Sequence, residues 1–313
     1  MGCRTNMKLN KKDSAFGRHE TFQLRYSWLP KGFQEFKKNE KIFESDESTV
    51  RLGVGKNMVS SIKFWMKATQ LLSEDNELTP MAIYLLDENE GQDPYLEDEA
   101  TIWLLHWLLC TNSKQATTWF WFFNKFVSTD FDLVAMQSSL QGFIDEELDI
   151  KQPSQNTLKN DCSVLTRMYS SIDGATKLQL DDILDSPMSL LGLLGKINSK
   201  QFSAELAQRP ELPLGIFGYA VAECINTFTE NLSRLTIPTK ELIYSSDGQP
   251  SVAAIFRLTE SDFMTKLELL QHAYPDVFTI NETAGNSQLY LVKDKQLDPY
   301  EFLRAHYEGE LTA

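Results

Sequence analysis

The densest group of reactive side chains lies between Phe16 and Arg25, where the sequence reads FGRHETFQLR. Arg18, His19, Glu20 and Arg25 fall within eight residues, and Phe16, Phe22, Leu24 and Trp28 surround them with apolar side chains. A guanidinium can grip a phosphate with two parallel N–H groups, and an imidazole beside a carboxylate can be oriented to move a proton. Arg18, His19 and Glu20 are therefore the candidate catalytic group, one that could grip a phosphate and move a proton. The same residues suit a protein interface in which Arg18 and Glu20 pair across a domain or dimer contact, because charges set among aromatics also mark interfaces. The sequence is equally compatible with both.

Two further segments bear on phosphate and metal chemistry. LGVGKNM has the look of a nucleotide-binding loop, but Val50 stands where the first glycine belongs and Asn57 where a Ser or Thr hydroxyl would hold magnesium. Nucleotide hydrolysis is not expected there. Gly53 and Gly55 instead permit a tight turn, after which the first N–H groups of a helix, with Lys56, can bind a nucleic-acid phosphate. In DDILDSP, Asp181, Asp182 and Asp185 are the candidate ligands for a magnesium ion. The competing use is ordinary turn and helix-cap chemistry, which Asp, Ser and Pro favour. No PD-ExK, HNH or DEDD nuclease arrangement is visible. The four cysteines and four histidines are scattered and give no zinc spacing.

The elements that must position these residues read as mainly helical with small β hairpins, an α+β class. Pro30 predicts a break, with a second short helix after it. Met58, Val59, Ile62, Trp65, Met66 and Leu72 recur at the helical period, so a helix begins near Lys56. Helix, turn and helix with a compact extension is the order of a winged helix-turn-helix over residues 1–96. Residues 97–236 form a helical core. Its first helix is Glu99–Cys110, capped by Asp98 or Thr101, and its second carries the aromatic run Thr117–Phe126. That run is too continuous and too poor in nearby cations for base stacking, so it is expected to pack inside. Ser154 or Asn156 opens a further helix. Residues 237–313 are again winged-helix-like. VAAIFRLT alternates as a strand would, ESDFMTKLELLQHAY follows as a helix, and VFTINE and SQLYLV form a hairpin across Thr283–Asn286.

Charge is unevenly distributed. The chain of 313 residues carries a net −14. Residues 1–69, however, hold 14 Lys/Arg against 7 Asp/Glu, a net +7, which leaves −21 on the remainder. Bulk charge rules out coating DNA, whereas the basic N-terminal part could meet phosphates. Arg18, Arg25, Lys31, Lys56 and Lys63 are the expected DNA contacts. The longest apolar run, Ile102–Cys110, is about half the length needed to span a bilayer. The N-terminus lacks a secretory apolar core, and Asn6 stands where myristoylation needs Ser or Thr. A cytoplasmic location with no membrane partner is expected, and symmetry statistics make a homodimer the default oligomer.

Seven segments occur in order: FGRHETFQLRYSWLPKGF, RLGVGKNMVSSIKFW, DEATIWLLHWLL, WFWFFNKF, NTLKNDCSVLTRMY, LDSPMSLLGLL and IFRLTE. Together they resemble the family of uncharacterised-function domains that includes SspB, found in single-strand DNA phosphorothioation systems. The resemblance implies a DNA-binding, anti-phage defence component that nicks one strand so that sulfur can be inserted. The alternative it leaves is a non-enzymatic adaptor. Implied partners are DNA, a cysteine desulfurase, an ATP-pyrophosphatase-like sulfur-transfer enzyme and an ATPase.

Overall fold

The computed structural model describes residues 7–170, 186–232, 236–283, 286–292 and 297–311. The chain divides into two compact units, Met1–Glu205 and Leu206–Ala313.

In the first unit, residues 7–27 run without regular structure but bury Met7, Leu9, Ala15 and Leu24. Helix α1 follows (Trp28–Lys38) and buries Trp28, Leu29, Phe33 and Phe36. Pro30 does not break it. The proline occupies the first turn, where its missing N–H has no intrahelical partner to lose. A 3-10 turn (Ile42–Glu44) and α2 (Ser48–Leu52) lead to Gly53, which ends α2 in the left-handed conformation at φ 65°. Helix α3 (Lys56–Ala68) then begins where the sequence places it, burying Val59, Ile62, Trp65 and Met66 along one face. After it the antiparallel extension is a single bridge, Leu72 to Leu78. Helix α4 is Pro80–Leu86.

Helices α5 (Glu99–Cys110) and α6 (Thr117–Asn124) are the interior of this unit. Every residue from Ala100 to Cys110 and from Thr117 to Asn124 is buried. Asp98 caps α5 by accepting the N–H of Ala100. A helix apolar on all sides must be enclosed on all sides, and the N-terminal segment helps to enclose these two. The Ala15 N–H donates to the Thr117 hydroxyl at 2.9 Å, and the Ser113 hydroxyl to the Lys8 carbonyl at 3.3 Å. The boundary expected near residue 96 therefore falls inside one unit. Helices α7 (Leu133–Glu147) and α8 (Gln155–Tyr169) pack alongside, each capped by the residue before it, Asp132 and Ser154. A small antiparallel sheet of β1 (Asp130–Asp132), β2 (Gly195–Lys196) and β3 (Gln201–Ser203) runs in the order β1-β3-β2, with Phe131 opposite Phe202.

The second unit runs α9 (Leu214–Leu232), β4 (Thr236–Pro238), α10 (Thr239–Ile243), α11 (Val252–Ile255), α12 (Glu260–Ala273), β5 (Phe278–Thr283), β6 (Asn286–Leu291) and α13 (Pro299–Tyr307). Its sheet is antiparallel in the order β4-β6-β5, with Leu289 between Ile237 and Ile280. Helix, strand, three helices and a hairpin follow in order, one helix more than the winged-helix order expected over 237–313. Of the stretch 252–259, expected as a strand, Val252–Ile255 form instead the short helix α11. The Ser251 hydroxyl caps it at Ala254, and Val252, Ala253, Ile255 and Phe256 are all buried. With burial on every side, apolar alternation no longer reports a strand.

Helix α9 meets α13 closely at Gly215, where an added Cβ would stand 2.6 Å from the His306 Cβ and 2.7 Å from the Phe302 carbonyl oxygen. In an open helix Gly→Ala stabilises by up to about 1 kcal/mol. Here Gly215→Ala is expected to destabilise by about 1–3 kcal/mol through overpacking against backbone, read as a lower urea midpoint. An unchanged or raised midpoint would show that the two helices can separate at no cost.

Candidate nucleic-acid interface

The Phe16–Arg25 segment folds as a tight turn fastened to the core beneath it. The His19 ring is 1% exposed and sits among Phe64, Trp65 and Trp119, with ring centroids 5.8–6.4 Å away. Its Nδ1 accepts the N–H of Thr21 at 3.0 Å, which leaves Nε2 to carry the hydrogen and donate to Asp161 Oδ1 at 2.9 Å. Asp161, also 1% exposed, accepts twice more, from the Gly17 N–H at 2.9 Å and from the Thr118 hydroxyl at 2.7 Å. A buried carboxylate is tolerable only when its lone pairs are met in this way. The turn is tied on its other sides too. Ser61 of α3 donates to the His19 carbonyl, the Trp65 indole to the Phe22 carbonyl, and Arg167 of α8 to the Thr21 carbonyl.

These anchors hold a backbone that would not adopt its path unaided. Gly17, Glu20 and Thr21 have φ of 72°, 51° and 64°. For Glu20 and Thr21 the left-handed region costs of order 1 kcal/mol each. The strain is compensated by the buried bonds, and the outcome is that Arg18 and Glu20 project from the turn as exposed side chains. His19, grouped with them in sequence, points the other way. Both its nitrogens are engaged inside the protein.

Helix α3 presents a line of cations beside this turn. Lys56, Lys63 and Lys67 are spaced i, i+7 and i+11, so they share one face over about 16 Å of helix. The face opposite is the buried one. Burial, and next to it the charge of Lys63, hold Lys67 below the ordinary lysine value, and Arg18 pushes the same way. Lys67, whose Nζ donates to the Glu74 carbonyl at 2.8 Å, thus feels the charges of both Lys63 and Arg18, a repulsion that a bound phosphate would relieve. Lys63 makes an exposed contact with Glu44 at 3.3 Å, which is weak and readily exchanged. At the start of α3, Gly55 is extended and provides no side-chain cap, so the first N–H groups next to Lys56 lack a side-chain acceptor there.

The remaining expected contacts lie elsewhere. Arg25 stacks over Trp28, with its guanidinium carbon 5.6 Å from the ring centroid, and Lys31 is exposed on α1. Asp181, Asp182 and Asp185 lie outside the described residues. Among the described residues no group of three or more His, Cys, Asp or Glu side chains is placed to hold a metal ion. Cys110, Cys162 and Cys224 are buried free thiols. Burial, aided by Asp161, pushes the Cys162 thiol up to about 12, which makes it inert as a nucleophile. Among the described residues no helix is long and apolar enough to cross a membrane.

The second unit, expected to be winged-helix-like, does not present a basic surface on the helix before its hairpin. On this helix, α12, Glu260, Ser261, Thr265, Glu268, Leu269 and His272 are exposed. Its one lysine, Lys266, is buried and donates to the Leu212 carbonyl at 3.3 Å.

Sequence reasoning missed three participants. Lys67 extends the Lys56–Lys63 line by one turn. Asp161 is a lone carboxylate among the buried positions Leu158, Cys162 and Leu165 of α8, a pattern that asks for a buried donor. Arg167 gave no signal in sequence, because its acceptor is a distant carbonyl.

A two-unit α+β architecture with a basic helix beside an anchored arginine turn defines the class. The chain belongs to the family described as "protein of unknown function (DUF4007)", which matches residues 16–307. It is similar to SspB over nearly its whole length. One SspB crystal structure is 27% identical, with TM-score 0.80, covering 97% of this chain and 90% of that one. A magnesium ion-bound SspB structure is 26% identical, with TM-score 0.80, covering 97% and 91%. No curated protein sequence matches this chain.

Asp161→Ala would leave three buried donors without their acceptor. It is expected to cost at least about 3 kcal/mol, from about 1–3 kcal/mol for each donor left unsatisfied, measured by urea unfolding of the full chain. Lys63→Ala, at the surface, should stay within about 0.5 kcal/mol. Equal losses from both substitutions would mean that Asp161 is not the anchor of the turn.

Proposed function

We propose that this chain is the DNA-binding component of a DNA phosphorothioation and anti-phage defence system, and that it nicks one strand so that sulfur can be inserted. The observation that carries the proposal is the line Lys56, Lys63 and Lys67 ending beside Arg18, in a chain similar to SspB from end to end. Cations spaced along a helix suit a phosphate backbone and carry no base preference of their own. Arg18 then holds the phosphate to be cut, and Glu20, exposed on the same turn, accepts the proton of the attacking water. His19 works through the turn as a positioning residue, with Asp161 behind it. Arg25 and Lys31 extend the contact along α1.

Magnesium suits phosphodiester hydrolysis because it offsets the charge that develops on the phosphate, and one SspB structure contains it. The candidates for holding it here are Asp181, Asp182 and Asp185, and no step is assigned to the ion. Partners under this reading are DNA, a cysteine desulfurase, an ATP-pyrophosphatase-like sulfur-transfer enzyme and an ATPase, in the cytoplasm, with the chain as a homodimer. The second reading is a non-enzymatic adaptor that holds the sulfur-transfer enzymes on DNA. The acidic outer face of α12, which a duplex would repel, favours a protein neighbour for the second unit.

Supercoiled plasmid treated with the purified protein and magnesium or manganese is expected to become open circles, and EDTA should stop the conversion. Arg18→Ala and Glu20→Gln should lose nicking while still shifting DNA in a gel. Wild-type protein that shifts DNA but leaves it supercoiled would decide for the adaptor. Replacing Lys56, Lys63 and Lys67 together by Ala should weaken binding to all sequences alike. It should also reduce the slope of log K against log salt by about 3. An unchanged slope would remove α3 from the interface.

A further inference from the structure

A cleft of about 410 Å³ opens beside α1, with Tyr26, Pro30 and Tyr95 forming apolar walls and Lys31, Gln34 and Glu35 supplying polar groups. We propose that this cleft receives an unstacked nucleobase of single-stranded or locally opened DNA; the inference rests on the DNA-binding reading above.

Four observations point to a base. The volume lies within the range of small-molecule sites, at about 300–1,000 Å³, and exceeds what water alone requires. Two tyrosines line it, and Tyr95 is 66% exposed, an aromatic face left in solvent where a flat ring could stack. Aromatic side chains that accept splayed bases do so regardless of sequence, because every base has a π-face. The polar groups are acceptors fixed in advance. Glu35 is held ionised by Lys38 and Arg51, whose nitrogens stand 2.9 and 2.8 Å from its two oxygens. Each oxygen keeps lone-pair capacity for the amino edge of a base. The Gln34 amide nitrogen is spent on the Leu86 carbonyl at 3.1 Å, which orients its oxygen as a further acceptor.

Position supplies the fourth observation. Arg51, which braces Glu35, belongs to α2 and is separated from Lys56 only by the Gly53–Gly55 turn. A strand whose phosphates follow α3 can therefore reach the cleft, with Lys31 at its rim for the flanking phosphate. Opening one strand requires that it be told apart from an intact duplex, and a pocket for an unpaired base does that. Extrusion costs least where pairing is already lost.

The test compares oligodeoxyadenylate with an abasic deoxyribose-phosphate oligomer of equal length, titrated against the full chain and read by fluorescence anisotropy. Wild type is expected to bind the base-bearing oligomer about tenfold more tightly, within the range for stacking one base. Tyr95→Ala should bring the two affinities within about twofold by weakening only the base-bearing oligomer, and Tyr95→Phe should keep the preference. Replacing Lys56, Lys63 and Lys67 should weaken both oligomers equally. Equal affinity of wild type for the two, or a preference that survives Tyr95→Ala, overturns the pocket while leaving the basic interface in place. Loss of binding to both oligomers in Tyr95→Ala also overturns it. Wild type that binds neither oligomer and no duplex overturns the DNA-binding reading as well.

Discussion

Asp161 is the residue on which the first unit turns. A carboxylate 1% exposed is costly, and it is kept because three donors from two distant parts of the chain converge on it: the Gly17 amide, the His19 ring and the Thr118 hydroxyl. Gly17 and His19 belong to the N-terminal segment, Thr118 to the aromatic helix α6, and Asp161 itself to α8. One buried group therefore fixes the segment that carries Arg18 against the interior of the unit. Remove it and the aromatic core would still have reason to collapse, since apolar burial is non-directional. The turn would lose its bonds from Gly17 and His19, which do most to specify its path.

This explains why the geometry of the segment was not legible in the sequence. Arg18, His19 and Glu20 stand side by side in the sequence, and adjacency suggests common work. The left-handed conformations at Glu20 and Thr21 separate them, sending His19 inward and its neighbours out. Nothing local announces that reversal, because the acceptor for His19 lies 142 residues away. Elements whose signal is local were far more legible. Helix α3 has its apolar period and glycine turn, α5 and α6 have continuous apolar runs, and β5 and β6 flank the hairpin turn. Strands β1 and β3, three residues each and about seventy positions apart in sequence, were invisible for the opposite reason.

The two units show how little a fold order says about its surface. In the second, expected to be winged-helix-like, the helix before the hairpin, α12, turns carboxylates outward and keeps its lysine inside. In the first, the stretch after α3 has only the bridge from Leu72 to Leu78 where a wing was expected, yet α3 carries the cations on one face. Function follows the side chains on a face and not the order of elements beneath them.

The anchored turn has a thermodynamic consequence. A disordered arginine arm must be ordered when it meets DNA, and that ordering appears as a large negative heat capacity and an entropic loss. Here the backbone around Arg18 is already fixed by bonds from Gly17, His19, Thr21 and Phe22 into the interior. Only the Arg18 side chain, in contact with Gln115 at 3.4 Å, has rotamers left to lose. If this turn meets DNA as proposed, association there is expected as rigid docking, with calorimetry recording the release of counterions and little trace of coupled folding.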